Sequence, residues 1–191
     1  MLGPREALKS NDEIRTCLKN QVCVARLGGQ YGIFAVEALE EGEVLIRIEG
    51  QRTSRPSRFS VQIEEGVHID LAKGISLEEM IEHFWWRFMN HSCSPNTIIR
   101  CQEVVAIRLI RPGEELTFNY NTTELDMAAP FTCRCGSPMC VGQVRGFKYL
   151  RAIEKERMRP FLAPHLARHL ERESVSRVPT TDPIGVYDPQ H

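Results

Sequence analysis

The chain has 191 residues, 42% hydrophobic and 26% charged, with 24 Lys and Arg against 25 Asp and Glu. That length fits one compact domain with a small appendage better than two full domains, and a formal charge of −1 gives no long-range pull toward phosphate backbones, which argues against nucleic acid as a partner. No apolar stretch opens the sequence and no segment approaches the length of a membrane span, so the chain is expected inside the cell, cytoplasmic or nuclear, and off the membrane. Seven cysteines in a reducing compartment point to metal rather than to a disulfide framework. Acidic pairs recur at Glu40/Glu41, Glu64/Glu65, Glu78/Glu79 and Glu114/Glu115. Gathered on one face they would welcome a basic peptide, and scattered they are solvated turns, the plainer reading.

In chain order, residues 1–20 read as a loose or helical lead-in. From Gln21 the pattern becomes short β-branched runs: VCVARL (22–27), IFAV (33–36), VLIRI (44–48), FSVQI (59–63) and VHIDL (67–71), separated by turn formers as strands of small sheets are. Ser76 with Glu79 forms a capping box, and Leu77, Met80, Ile81, Phe84, Trp85 and Phe88 recur at helical spacing, which predicts one core helix. TIIR (97–100), VVAIRLI (104–110) and LTFNY (116–120) resume the strands, with RPGEE (111–115) as a turn. After the cysteine loop, GFKYLRAIEKERMRPF and PHLARHLERE read as helices interrupted at Pro160 and restarted near Pro164. The proline-rich end reads as an extended or flexible tail. The class is α+β, mostly β.

The chemistry gathers in CRCGSPMC, where Cys133, Cys135 and Cys140 share one loop. A structural zinc ion takes four tetrahedral ligands from cysteine or histidine, so one is missing. Cys17, Cys23, Cys93, Cys101 and His91 are available. Cys93 lies in FMNHSCSPN, where Pro95 and small polar residues force a turn that exposes side chains. Cys23 and Cys101 fall on predicted strands and Cys17 in the lead-in, so buried or idle thiols are expected there.

NHSCSPN, followed by GEELTFNY and CRCGSPMC in that order, resembles the SET-domain protein-lysine methyltransferases that carry a post-SET zinc loop. The resemblance covers about Gln21 to Val144. It implies several small β-sheets around a C-terminal pseudoknot, with a lead-in over 1–20, a SET domain over 21–125, a zinc loop over 126–146, helices over 147–173 and a tail over 174–191. It implies Zn2+ on Cys93, Cys133, Cys135 and Cys140, its charge offset by N–H groups near Gly136 and Ser137 or by Arg134. It also implies S-adenosylmethionine as cofactor, with Asn90 and His91 at the adenine and Gly29, Gln30, Tyr31 and Gly32 approaching the cofactor closely. Tyr120 matches the catalytic tyrosine, and Phe118 a position lining the lysine channel.

Each of these residues has a plainer explanation. Gly28 and Gly29 fit a hairpin turn, Asn90 a helix end, and Tyr120 an aromatic strand residue. Three positions depart from the family pattern: Gln30 replaces a glycine, Ile48 a tyrosine, and Phe59, at the cofactor pocket, another tyrosine. The implied function is S-adenosylmethionine-dependent methylation of a lysine on a protein, a histone or another basic protein. The alternative is a weak or inactive SET-like zinc module acting as a protein-binding scaffold. With no cysteine-rich segment ahead of the domain, no particular substrate is assigned.

Overall fold

The computed structural model describes residues 13–18 and 21–176, with side-chain surroundings over 21–174. Strands β1 (Glu13–Leu18), β2 (Val22–Leu27) and β3 (Gln30–Ala35) form an antiparallel sheet in that order. The lead-in therefore contributes a strand, not a loose or helical segment: EIRTCL pairs with β2, setting Cys17 opposite Cys23. Its mixed polarity gave no period-2 signal, and its place comes from a partner that only the fold supplies. The rest of the lead-in, and the tail beyond Ser176, lie outside the described residues.

Strand β4 (Val44–Arg47) pairs with β10 (Glu103–Ala106), which pairs with β9 (Thr97–Arg100). A third sheet joins β5 (Gln51–Thr53), β7 (Val67–Asp70) and β6 (Val61–Glu64). The run at 104–110 leaves strand geometry after Ala106, and Ile110 makes only an isolated bridge to Leu39. Cys101 lies on no strand. With Gln102 it forms the two-residue turn between β9 and β10, both at positive φ (48° and 67°), the geometry that matches the twist of a hairpin, and its side chain is exposed.

The single predicted helix is two pieces. Helix α1 (Leu77–His83) starts on Ser76, whose hydroxyl accepts from the Glu79 N–H, and a 3-10 turn follows over Trp85–Phe88. Trp85 and Trp86 both lie in the main core, where each is buried. The Trp86 indole donates to the Glu49 carbonyl at 3.1 Å.

Past the cysteine loop, α2 (Ala152–Met158) and α3 (Pro164–Ser176) follow a 3-10 turn at Phe147–Tyr149. The helices begin later than the sequence pattern implies, and α3 runs beyond residue 173. Phe147, Leu150, Met158, Leu162, Leu166 and Leu170 make a second core. Backbone bonds from Phe147 N–H to the Glu124 carbonyl (2.7 Å) and from Ala163 N–H to the Thr122 carbonyl (2.8 Å) dock it on the first.

Two segments distant in sequence meet at the centre. Strand β8 (Asn90–His91) runs parallel to β11 (Thr117–Phe118), and Asn96 pins them: its amide donates to the Glu115 carbonyl (2.8 Å) and accepts from the Thr117 N–H (2.9 Å). Asn96 is buried, and a buried backbone group left unpaired costs about 1–3 kcal/mol. Asn96→Ala is expected to lower unfolding stability by about 2–4 kcal/mol, read as a drop in the urea midpoint at unchanged slope. A change under about 0.5 kcal/mol would show that the pin is dispensable.

Candidate functional site

The four thiols chosen from sequence converge. Sγ atoms of Cys93, Cys133, Cys135 and Cys140 all lie within 4.8 Å of one another, the one such cluster of metal-ligating side chains among the described residues. The Cys93 and Cys133 sulfurs are 3.9 Å apart, against an edge of about 3.8 Å for a tetrahedron of 2.3 Å Zn–S bonds. The donor set therefore fits Zn2+. A short hairpin of β12 (Phe131–Thr132) and β13 (Gln143–Val144) frames the loop, closed by the Cys133 N–H on the Gly142 carbonyl at 2.7 Å.

Amide donors surround the sulfurs. The Gly142 N–H reaches Cys140 Sγ at 3.4 Å, the Val141 N–H reaches Cys93, and the N–H groups of Cys93 and Ser137 reach Cys135. Ser137 was expected in this role. Burial pushes the Cys93 and Cys133 thiols above their ordinary range. For Cys135 burial is the largest single effect and raises the thiol, but the amide donors of Cys93 and Ser137 and the neighbouring thiols of Cys133 and Cys140 together outweigh it and lower it to about 7.

His91 is not a fifth candidate for the cluster. Its Nε2 lies 3.2 Å from Cys93 Sγ, and its Nδ1 accepts the Tyr120 N–H at 3.2 Å. Burial lowers its pKa to about 4, so the ring is neutral at physiological pH.

Asn90 ties the glycine hairpin to this centre. Its amide donates to the Tyr31 carbonyl (2.8 Å) and to Glu115 Oε1 (2.7 Å), leaving Oδ1 for a ligand. Gly28 and Gly29, at φ of 56° and 86°, are the two-residue turn joining Leu27 to Gln30, which accounts for both without a ligand. Gln30 is exposed. Tyr31 packs on Phe88 with ring centroids 5.3 Å apart. Gly32 is the constrained glycine, because a Cβ there would sit 2.6 Å from Glu115 Oε1, the atom that holds Asn90.

Tyr120 and Phe118 stand side by side, ring centroids 4.7 Å apart, in a pocket with Phe59, Trp86, Met89 and Glu124. The Tyr120 hydroxyl donates to the Met89 carbonyl at 2.8 Å. Burial, with Glu115 and Glu124 adding repulsion, holds the phenol well above its ordinary value, so it stays protonated. Phe59 is half exposed at the rim with the Arg87 guanidinium 3.9 Å over its ring. Ile48, expected in the pocket, is instead 1% exposed in the main core. Sequence reading missed Glu124, whose Oε1 accepts from the Gln62 N–H at 2.7 Å, and Arg87. No motif marks either, since their neighbours arrive from 60 positions away or from another element. Three residues of the acidic pairs are matched by arginines: Glu64 pairs with Arg52, Glu65 with Arg172 and Glu114 with Arg108.

The SET domain family model matches residues 30–121. Methyltransferase flvH of Aspergillus flavus is 33% identical over 132 residues, spanning 66% of this chain and 67% of that protein. An H3 lysine-36 specific histone-lysine N-methyltransferase of Coccidioides immitis is 33% identical over 131 residues, 61% of this chain but only 13% of that protein's length. Among solved structures, KRYPTONITE in complex with mCHH DNA, an H3(1-15) peptide and SAH superposes with a TM-score of 0.51 at 22% identity, over 68% of this chain and 30% of that one. The fold is a SET fold. The chain belongs to the SET-domain family.

Gly32→Ala is expected to push the Glu115 carboxylate off Asn90, costing about 1–3 kcal/mol and weakening S-adenosylmethionine binding by calorimetry. Wild-type stability together with wild-type binding would refute the constraint.

Proposed function

We propose that the protein is an S-adenosylmethionine-dependent protein-lysine N-methyltransferase. The observation that carries the reading is Tyr120: a protonated hydroxyl held on the Met89 carbonyl, in a pocket walled by Phe118, Trp86 and Met89, on a backbone fastened through His91 to the cysteine cluster. Methyl transfer from sulfonium to amine is an in-line displacement that needs donor and acceptor held in register rather than a covalent nucleophile. S-adenosylmethionine, when bound, supplies the sulfonium methyl group.

The chain's own residues do the rest. Apolar walls favour the neutral amine over the ammonium by desolvation, and the oxygens of Tyr120 and Met89 face the region where positive charge develops. Tyr120 orients and stabilises; raised above its ordinary value, it cannot act as a base near neutral pH. The residues proposed to meet the cofactor are Asn90, His91 and the stretch 29–32, with Asn90 Oδ1 as the available polar atom. Phe59 at the pocket rim is proposed to meet the substrate segment instead. Cys93, Cys133, Cys135 and Cys140, in a loop of post-SET type, would hold Zn2+ and so tie that loop to the segment that carries Asn90 and His91.

The proposed substrate is a lysine-bearing protein, with histone H3 as the first candidate because the Coccidioides immitis relative and the KRYPTONITE complex carry H3 in their descriptions. The charge balance argues against nucleic acid, but the comparisons lend that exclusion no support, since the KRYPTONITE complex contains DNA. No described helix is long and apolar enough to cross a membrane, and a cytoplasmic or nuclear location is proposed.

Incubation of a proteome and of H3 peptides with labelled cofactor, read by mass spectrometry, is expected to place label on lysine. Tyr120→Phe is expected to lower the rate by about 100-fold or more with little change in cofactor affinity. Its pH–rate profile should keep the wild-type inflection, because Tyr120 does not titrate in the working range. Cofactor binding without transfer to any protein would favour the scaffold alternative.

A further inference from the structure

We propose that His91 is a positioning residue that couples the cysteine cluster to the Tyr120 backbone, and that it does so as the Nε2-protonated tautomer. An amide can only donate, so the Tyr120 N–H at 3.2 Å requires a lone pair on Nδ1. A neutral imidazole then carries its one proton on Nε2, and that nitrogen points at Cys93 Sγ, 3.2 Å away. A thiolate bound to zinc keeps surplus negative charge and accepts such a bond well. Outer-shell donors of this kind change metal affinity by 10- to 100-fold.

The ring is held in this orientation. Tyr120 meets it edge-on with centroids 5.2 Å apart, and Phe131 does the same from the cysteine hairpin at 5.6 Å. A flipped ring would set a C–H against the amide or the sulfur. His91 thus spends both nitrogens inside the protein, one on each partner, and its side chain has none left for a cofactor. The expected adenine contact, if made, falls to its backbone.

Two amide side chains separate the two bonds. In His91→Asn the amide oxygen takes the place of Nδ1 and keeps the Tyr120 acceptor, but no donor reaches the sulfur. In His91→Gln the amide nitrogen takes the place of Nε2 and keeps the thiolate donor, but the Tyr120 N–H loses its partner. Zinc transfer to a chromogenic chelator is expected to become 10- to 100-fold more favourable in His91→Asn and to stay near wild type in His91→Gln. Hydrogen exchange at the Tyr120 amide is expected to do the reverse, rising in His91→Gln and holding in His91→Asn.

Equal effects of both variants on both readouts would reduce His91 to a packing residue and overturn the proposal. Should either variant fail to fold, imidazole 15N spectra of the zinc-loaded wild type decide. An Nε2–H tautomer supports the coupling and an Nδ1–H tautomer overturns it. The inference rests on the zinc reading alone: protein that binds no zinc overturns it, whereas zinc-bound protein without methyl transfer counts only against the proposed function.

Discussion

The fold depends on one junction, where the segment after the tryptophans lies parallel to the segment that ends in Tyr120. Only two residues pair in register on each side, too few for a ladder to hold unaided. Side chains supply the difference. Asn96 closes two bonds onto the backbone at 115 and 117, Thr97 donates to the Thr117 carbonyl at 2.9 Å, and Asn90 reaches Glu115. Parallel pairing between strands separated by a complete β9–β10 hairpin cannot be reached by a tight turn. This is why short polar residues, rather than a long apolar strand, hold the centre of the protein.

From that junction the site extends in two directions. Toward the amino-terminal sheet, the Asn90 amide fixes the Tyr31 carbonyl, so the glycine hairpin moves with the centre. Toward the carboxyl-terminal side, Cys93 brings the same segment to the cysteine hairpin, while Asn121 accepts the Gly146 N–H at 3.0 Å. The cysteine loop is thus fastened by thiols on one side and by the second core on the other. Neither attachment would suffice alone, because the loop contributes few buried apolar side chains of its own; Val144 is the largest that is fully buried.

Motifs whose chemistry demands a fixed ligand set were legible in the sequence. The four cysteines could be chosen because tetrahedral zinc leaves one place beside the triplet, and a resemblance filled it. The strands with β-branched runs and the Ser76 cap were legible for local reasons, whereas Tyr120 and Phe118 were singled out only by the resemblance. What escaped was set by partners far along the chain. β1 is a strand because β2 offers an edge. Asn90 and His91, read as cofactor contacts, use their side-chain donors and ring nitrogens on the protein itself, and no spacing rule reports that. Glu124 carries no motif at all, although it is buried beside Tyr120.

The departures from the family pattern bear on whether the pocket is depleted of hydroxyls. Ile48 removes nothing from it, because its side chain belongs to the main core. Phe59 lies at the rim, where its ring supports Arg87. Nearer the phenol, the polar groups are the Met89 carbonyl and the Glu124 carboxylate, one a backbone dipole fixed by the 3-10 turn and the other a side chain fixed by Gln62. Fixed dipoles need no reorganisation as charge develops, which makes them effective stabilisers in a dry site. The polarity beside the phenol is therefore rooted in the floor of the pocket, and the junction fixes the position of the Tyr120 hydroxyl against it.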